Sequence, residues 1–461
     1  MPFQPVILAT DALIYVLVLI IAGFVIYTRR QPHLLAPWQQ VAHSRVAMGA
    51  WMVIVLYLII GLSDTLHFRL ADGQDKTGQT RYATQVVSLL DVITGSLRER
   101  REKTYSAPFA THLYSKETID LPGSGQQRLY PPLRYGGQHL ATPSDRAWDI
   151  TWRSLLGAAI GLGVFALLLL VRCRCRLTRL HQLWRAPEQK ASRSAWGMLM
   201  ILCLLAGAVI SLSTVYHVLG TNKVGEDVLY QALKSVRTGL VIGTLTTLVM
   251  LPAALLLGAM AGYFRGWVDD MIQYLYTTLS SVPGVLLIAA AILMMQVYMS
   301  NHPTEFTSLT ERSDFRLLFL CLILGLTSWT SLCRLLRGEA LKLRQMDYVQ
   351  AAQVLGVGHF TILWRHIMPN VMHIVLIVMV LDFSGLVLAE AVLSYINIGV
   401  DPNTYSWGNM INSARLELAR EPVVWWSLAA AFGFMFILVL AANLLADAVR
   451  DAFDPRFNEH N

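Results

Sequence analysis

Two carboxylates inside a long apolar stretch are the side chains of this sequence best placed to do chemistry. Asp382 lies in the middle of the apolar stretch 371–396, and Glu390 follows eight residues later, which places both on one face of a helix. Ionisable residues within a membrane are costly and usually functional, so both are candidates for the lining or the gate of a polar pathway. A buried hydrogen bond to a neighbouring helix is the alternative, and it suits Glu390 better.

The sequence lacks the motifs of common enzymes. It has no Gly-Lys pair for a phosphate-binding loop, no H-E-x-x-H zinc motif and no G-x-S-x-G nucleophile turn. The 12 histidines are scattered, and single ones such as His33 or His181 are typical of interfacial or solvated positions. We therefore predict no catalytic residue, no metal site and no cofactor bound by this chain, with any nucleotide hydrolysed by another protein.

The composition is that of a membrane protein. Of 461 residues, 55% are hydrophobic and 15% are charged, against about 25% charged residues in soluble domains. The net charge of +7 comes from basic residues in short loops beside apolar stretches, which is typical of membrane orientation and not of nucleic-acid binding. Several stretches are long enough to cross about 30 Å of hydrocarbon. The predicted fold is an all-α polytopic protein with about nine transmembrane helices, near 6–27, 46–66, 154–171, 195–216, 238–262, 272–299, 317–333, 371–396 and 423–446.

The distribution of basic residues predicts which loops face the cytoplasm. The loop 172–193 carries seven basic residues and the single acid Glu188, and such an excess marks the cytoplasmic side. Counting from this loop places the N-terminus and the loop 67–152 outside, and the loop 334–370 and the C-terminus inside. The chain is therefore expected in the cell's inner membrane as a multi-pass protein.

The inner loop between the seventh and eighth spans has a distinctive pattern. Its sequence D-Y-V-Q-A-A-Q-V-L-G covers residues 347–356, and R-H-I-M-P-N follows at 365–370. Alanine favours helix and Gly356 permits a sharp turn, so we expect a short helix, a turn and a second helix, with Pro369 opening the next span. Without family knowledge, an amphipathic helix at the membrane surface is the default interpretation.

This inner loop resembles the EAA loop of permease subunits of ABC importers, through the pattern A-A-x3-G at 351–356 and Pro369. The flanks resemble the dipeptide/oligopeptide permease family in particular. Residues 217–228 are similar to its H-x-L-G-T-D-x-x-G-x-D-V opening motif, residues 389–408 to its E-x-x-L-S-F and S-W-G outer loop, and residues 443–456 to its N-x-x-x-D-x-x-R-D-x-x-D-P-R ending. The resemblance covers 217–456 and is closest to the second permease of that type.

The chain departs from the family pattern in three places. Asn222 replaces the usual Asp of the opening motif, and Gln350 stands where the wider superfamily has the Glu that gives the EAA loop its name. Four spans precede the opening motif, where the family normally has one. We expect this N-terminal extension to be a peripheral appendage beside the permease core, ordered only where its external loop touches that core.

The resemblance implies an importer of several subunits. These are two dissimilar permeases in the lipid bilayer, two cytoplasmic ATPases that carry ATP and Mg, and an extracytoplasmic substrate-binding protein. This chain would form the pathway for dipeptides or oligopeptides. It would contact the ATPases through the coupling-loop residues Asp347, Tyr348, Ala351, Ala352, Gly356, Arg365, His366 and Pro369. The residues predicted to line or gate the pathway are Asp382, Glu390 and Trp407.

The sequence leaves alternatives for the solute and for the role. A nickel complex or an antimicrobial peptide could replace the peptide, and a non-transporting scaffold or sensor is a further alternative.

The predicted organisation is an N-terminal transmembrane hairpin (1–66), an extracytoplasmic loop module (67–152) and a second hairpin with a basic cytoplasmic loop (153–216). The permease domain (217–456) follows, with a core of five to six helices and its coupling loop at about 346–370.

Overall fold

The computed structural model of the chain describes residues 3–74, 80–121, 125–140, 143–172, 190–303, 306 and 308–453. Within these ranges nine helices are long and apolar enough to cross a membrane, which confirms the predicted all-α polytopic class. They are α1 (Ala9–Arg29), α3 (Arg45–Thr65), α6 (Arg146–Arg172), α7 (Lys190–Ser213), α8 (Val228–Phe264), α10 (Gly284–Asn301), α11 (Leu309–Arg344), α14 (Met368–Tyr395) and α16 (Trp426–Phe453). The shorter helices are α2 (Pro32–His43), α4 (Leu89–Ile93), α5 (Gly95–Glu99), α9 (Trp267–Ser281), α12 (Asp347–Val354), α13 (His359–Ile362) and α15 (Trp407–Leu418). The basic loop that anchors the predicted topology lies mostly outside the described residues.

One predicted span is wrong in its extent. The stretch 272–299 is not one helix but two, α9 and α10, which are separated at Val282 and Pro283. Proline lacks the backbone N–H and clashes with the preceding turn inside a helix, whereas it is well tolerated where a helix begins. Pro283 caps α10 in this way, whereas Pro252 is accommodated inside the continuous helix α8.

Short strands lie between α3 and α6 and at the N-terminus. The strands β1 (Phe3–Val6), β2 (His67–Gln74), β3 (Thr80–Tyr82) and β4 (Val87–Ser88) form one sheet, and β5 (Glu117–Leu121) pairs with β6 (Gly125–Leu129). β1 and β2 are antiparallel, from Phe3 opposite Leu70 to Val6 opposite His67. The start of the chain and the loop after α3 therefore lie on the same side of any membrane that the chain spans. We call the segment 67–145 the loop module.

The described chain divides into two compact units. The first unit contains the N-terminal strand, Gln39–Thr238 and Tyr405–Leu445; the second contains Leu8–Trp38, Gly239–Thr404 and the C-terminal end from Ala446. The stretch that resembles the permease family contributes to both units. The four ranges predicted from the sequence stay a prediction.

Small residues hold two helices of the first unit close together. A Cβ atom at Gly157 or Gly161 of α6 would collide with backbone atoms of α7 at Gly207 and Cys203, and a Cβ atom at Gly207 would collide with Gly157. Membrane helices pack in this way because small residues let their backbones approach closely. On its other side α7 meets α3, where Ser194 Oγ donates to the Arg45 carbonyl at 2.7 Å.

In the second unit, α1 packs with helices of the family-like region. Its Ile14 belongs to a buried cluster with Val241 of α8 and Leu317 of α11. At the start of α1, the Thr10 N–H donates to Asp314 Oδ2 at 3.1 Å. The expectation that all four N-terminal spans are peripheral is thus wrong for α1, because it shares a core with α8 and α11.

Candidate functional site

The inner segment folds as a helix, a glycine turn and a second helix. α12 ends at Val354, Gly356 has a φ of +76°, and α13 continues through a π-helical turn at Leu363–Ile367 into α14. The Gly356 N–H donates to the Gln353 carbonyl, and the Val357 N–H to the Ala352 carbonyl, both at 3.0 Å. A glycine in the left-handed region is a common end of a helix, so the predicted turn is confirmed.

This segment buries one apolar face and exposes another. Val349, Ile362 and Ile367 are fully buried in a cluster with Trp329 and Leu336 of α11. The exposed apolar side chains are Val354 (87%), Leu355 (81%), Phe360 (74%) and Trp364 (70%). Large apolar side chains exposed together on one short segment are typical of a protein contact. We call these four side chains the inner apolar patch.

The sequence-predicted coupling residues lie around this patch in different settings. Asp347, Ala351 and Arg365 are exposed, Pro369 lies in the first turn of α14, and Ala352 is buried in the chain's own core. The small size of Ala352 therefore serves internal packing.

Two of the predicted coupling residues hold the base of the segment together. Asn370 Nδ2 donates to the Tyr348 hydroxyl at 3.2 Å, and the Tyr348 ring lies 6.2 Å from the His366 ring.

Further contacts that fix the segment were missed by the sequence analysis. The Tyr263 hydroxyl of α8 lies 2.9 Å from His359 Nδ1 at the start of α13. Arg337 of α11 donates two hydrogen bonds to Asp269 of α9, at 2.6 and 2.7 Å. Hydrogen bonds from Arg337 hold the pKa of Asp269 below its ordinary value. The acid in the first turn of α9 was visible in the sequence, but its partner 68 residues later was not.

The three predicted pathway residues have different surroundings. Glu390 is 1% exposed and accepts a 2.7 Å hydrogen bond from Ser394 Oγ of the same helix, so the bond to a neighbouring helix considered for it stays a prediction. Trp407 is also 1% exposed, and its indole N–H donates to the Ala232 carbonyl at 3.1 Å. Asp382 is half-buried, and among the described residues it has no hydrogen bond or ion pair. Of the three, Asp382 is the least buried.

A second cluster joins the loop module to the opening motif. His217 Nδ1 lies 2.7 Å from Asp227 Oδ2, and His217 Nε2 lies 3.5 Å from Glu102 Oε1; all three side chains are buried. Glu102 also accepts the N–H groups of Arg134 and Tyr135, at 2.8 and 2.7 Å. The loop module therefore supplies one of the two carboxylates that hold the histidine.

The charges of this cluster stabilise one another. Burial would lower the pKa of His217, but the hydrogen bond with Asp227 and the contact with Glu102 outweigh it and raise the pKa to about 9. Burial would raise the pKa of Glu102, but His217 and the backbone N–H donors hold it below its ordinary value. The His217 imidazolium and the Glu102 carboxylate are thus charged together near neutral pH.

The backbones of the two segments are also interlocked. The Glu102 N–H donates to the Gly225 carbonyl at 2.9 Å, and the Ser106 N–H donates to Thr221 Oγ1 at 2.7 Å. Gly225 has a φ of +73°, and a Cβ atom there would collide with the backbone of Glu102. The glycine of the opening motif is required both by its conformation and by the loop module beside it.

A lysine of α8 lies between two carboxylates at the edge of the loop module. Lys234 Nζ is 2.6 Å from Asp64 Oδ1 and 3.0 Å from Asp91 Oδ1. Ser88 Oγ donates to Asp64 at 2.6 Å, and the Tyr230 hydroxyl donates to Asp91 at 2.7 Å. Burial opposes ionisation of Asp91, yet Lys234, the Ser88 N–H and the Tyr230 hydroxyl hold its pKa below the ordinary value.

The loop module also contacts the end of α15 and the start of α16. The Tyr105 hydroxyl donates to Glu417 Oε1 at 3.3 Å, and the Tyr114 and Trp426 rings meet edge-on at 4.9 Å. The Trp426 indole N–H donates to the Thr221 carbonyl at 2.9 Å. The loop module thus shares buried polar contacts with family-like segments of the first unit, and its role as an appendage stays a prediction.

Comparison with known proteins gives consistent matches. The family described as the inner membrane component of binding-protein-dependent transport systems matches residues 254–459. The chain is 31% identical to a glutathione transport system permease protein, GsiD, of Pectobacterium atrosepticum over 242 residues, which cover 52% of this chain and 73% of the relative. It is 30% identical to the oligopeptide transport system permease protein OppC of Mycobacterium tuberculosis, over 52% and 76% of the two chains. The corresponding protein of Bacillus subtilis is 29% identical, over 53% and 73%.

Proposed function

Since this chain belongs to the peptide family of ABC importer permeases, the inner-membrane components of binding-protein-dependent transport systems, we propose that it forms part of the transmembrane pathway for peptides. It is a transport subunit, and the chain is a multi-pass protein of the inner membrane. The similar transport proteins named for their solute carry oligopeptides or glutathione, itself a short peptide, and this supports a peptide as the solute.

The observation that carries the proposal is the inner apolar patch on a rigid base. Four large apolar side chains are 70–87% exposed, while the opposite face of the same segment is buried in the chain's own core. A patch fixed in this way can transmit displacement from a partner without rearranging internally. We assign it to contact with a cytoplasmic ATPase.

The division of labour follows from this assignment. The ATPase subunits bind ATP and Mg and carry out hydrolysis, a second permease completes the pathway, and a binding protein delivers the peptide. This chain binds no cofactor. The patch lies in the segment that the charge bias assigns to the cytoplasm, so the N-terminus and the loop module lie outside.

Asp382 is assigned to the pathway. It lies near the middle of α14, and the described part of the chain offers it neither a hydrogen bond nor an ion pair. A charged side chain at that depth is costly unless it faces a partner or water. A water-filled path between two permeases supplies both water and a partner. The ammonium group of a peptide passing along that path can pair with the Asp382 carboxylate. Glu390 and Trp407 then support the helices that line the path.

The test is peptide uptake by the complete importer, with Leu355→Asp compared with Leu355→Met. A charge at this exposed position should remove the ATPases from the purified complex and abolish uptake, because a carboxylate is costly in an apolar contact. The methionine variant keeps an apolar side chain of similar size, and both its complex and its uptake should match the wild type. Normal uptake by the aspartate variant would overturn the docking assignment, and a wild-type importer that takes up no peptide would overturn the proposed solute.

A further inference from the structure

The loop module contains a cleft whose lining residues all precede the family-like region. Its volume is about 720 Å³, and it lies among β2, β4, α4 and α5, with Leu70 and Val92 on its apolar side. Pockets of about 300–1,000 Å³ hold small-molecule ligands. The size is therefore adequate for a small organic ligand.

The cleft carries one unpaired charge of each sign. Arg98 is half-buried and Glu99 is exposed, and both line the cleft. Among the described residues neither side chain has a hydrogen bond or an ion pair. Two further charged residues of the lining are already paired: Asp91 with Lys234 at 3.0 Å, and Arg101 with Glu226 at 2.7 Å.

The balance of charge selects the kind of ligand. Arg98 and Glu99 cancel each other, and the neighbouring group of Lys234, Asp64 and Asp91 carries one excess negative charge. A simple anion gains little from such surroundings. A ligand with a carboxylate at one end and an ammonium group at the other can pair with both free side chains.

The apolar side of the cleft adds a third point of recognition. Val92 is 53% exposed and Leu70 is 46% exposed, so a bound molecule would cover apolar surface that now faces water. Covering such surface is favourable, because it removes apolar groups from water. A ligand with an apolar group between its two charged ends can contact both charged side chains and the apolar side of the cleft.

We propose that this cleft binds a short zwitterionic peptide, with its carboxylate on Arg98, its ammonium group on Glu99 and a side chain against Val92 and Leu70. The proposal rests on the proposed function, because a peptide importer is where such a ligand is delivered. The cleft is then a peptide site of the permease itself, formed by residues that the family resemblance does not cover.

The experiment measures binding of tri-alanine to the purified full-length chain by calorimetry. Tri-alanine should bind, and its N-acetylated and C-amidated forms should each bind at least about tenfold more weakly, because each loses one ion pair. Arg98→Gln and Glu99→Gln should reproduce these losses, whereas Arg128→Gln, an exposed arginine on β6, should bind like the wild type. The comparison of the three peptides needs no variant, so a folding defect in a variant does not obscure the result.

The outcomes separate this proposal from the proposed function. If tri-alanine fails to bind, if its blocked forms bind equally well, or if acetate alone binds as tightly, the cleft is not a zwitterion site. Peptide uptake by the wild-type importer is measured independently. Uptake without Arg98-dependent binding overturns the cleft proposal alone, and Arg98-dependent binding without uptake overturns the proposed function alone.

Discussion

Glu102 of the loop module and His217 of the family's opening motif lie 3.5 Å apart in a buried site, although 115 residues separate them in the chain. The carboxylate accepts backbone N–H groups of its own module, and the imidazole is held from the other side by Asp227. The loop module is thereby joined to the permease through a charged contact that depends on both parts. This relationship makes the module's attachment sensitive to pH.

Stability should fall as the pH rises past neutrality. His217 has a pKa of about 9 in the fold against 6.5 in the unfolded chain, so its stabilising contribution is complete below pH 6.5 and is lost as the pH rises through 9. The shift corresponds to about 3 kcal/mol. The melting temperature of the purified chain should therefore decline between pH 6.5 and pH 9.5.

His217→Gln should melt at a lower temperature at pH 6 and should lack this decline. His112→Gln changes an exposed histidine of the same module and should keep the wild-type pH profile. A decline of equal size in the His217 variant would assign the pH dependence to other groups. The pKa of Glu102 is lowered in the fold. Its contribution to stability is therefore present at neutral pH and is lost only under acidic conditions.

The fold and the inner segment could largely be predicted from the sequence, because local rules determine them. Apolar stretches long enough to span a bilayer predicted the transmembrane helices, and Gly356 predicted the turn of the inner segment. Pro283 shows where local rules are ambiguous, because a proline can either bend one helix or begin another. The contacts of Glu102 with His217 could not be predicted, because no local pattern pairs residues that lie so far apart. Trp407 was assigned to the pathway from a motif, whereas its surroundings are visible only in the folded chain.

Lys234 should be more important for stability than a surface lysine. Lys234→Met would leave Asp64 and Asp91 as two neighbouring carboxylates without their cation. Breaking a buried ion pair in this way costs about 3–5 kcal/mol. The melting temperature should fall strongly, and protease should cut the loop module faster.

The matched control for this prediction is Lys103→Met. Lys103 pairs with Glu117 at 2.7 Å, but its side chain is 72% exposed, and such surface pairs contribute about 0–1 kcal/mol. Equal effects of the two variants would show that the Lys234 site is solvated and contributes no more than a surface pair.

The close contact of α6 with α7 predicts different outcomes for two nearby glycines. Gly161 faces the backbone of Cys203, so Gly161→Leu should force the helices apart and lower the melting temperature. Gly163 has no atom within 4 Å of its Cβ position, so Gly163→Leu should be neutral or slightly stabilising, since leucine favours helix. Thermal unfolding of the two variants in detergent measures the difference. A Gly161 variant as stable as the Gly163 variant would contradict the close packing of these helices.

The turn of the inner segment offers a similar comparison between Gly356 and Gly358. Gly356 has a φ of +76°, where an L-residue costs about 1–2 kcal/mol, whereas Gly358 has an ordinary φ of −59°. Neither position is crowded, because a Cβ atom at Gly356 would meet nothing within 4 Å and one at Gly358 only Thr361 Oγ1 at 3.9 Å. Gly356→Ala should therefore reorient Leu355 and reduce both ATPase co-purification and peptide uptake several-fold, through backbone strain alone. Gly358→Ala should transport like the wild type. If the two variants transport equally well, the conformation of the turn does not control coupling, and the inner apolar patch must act without it.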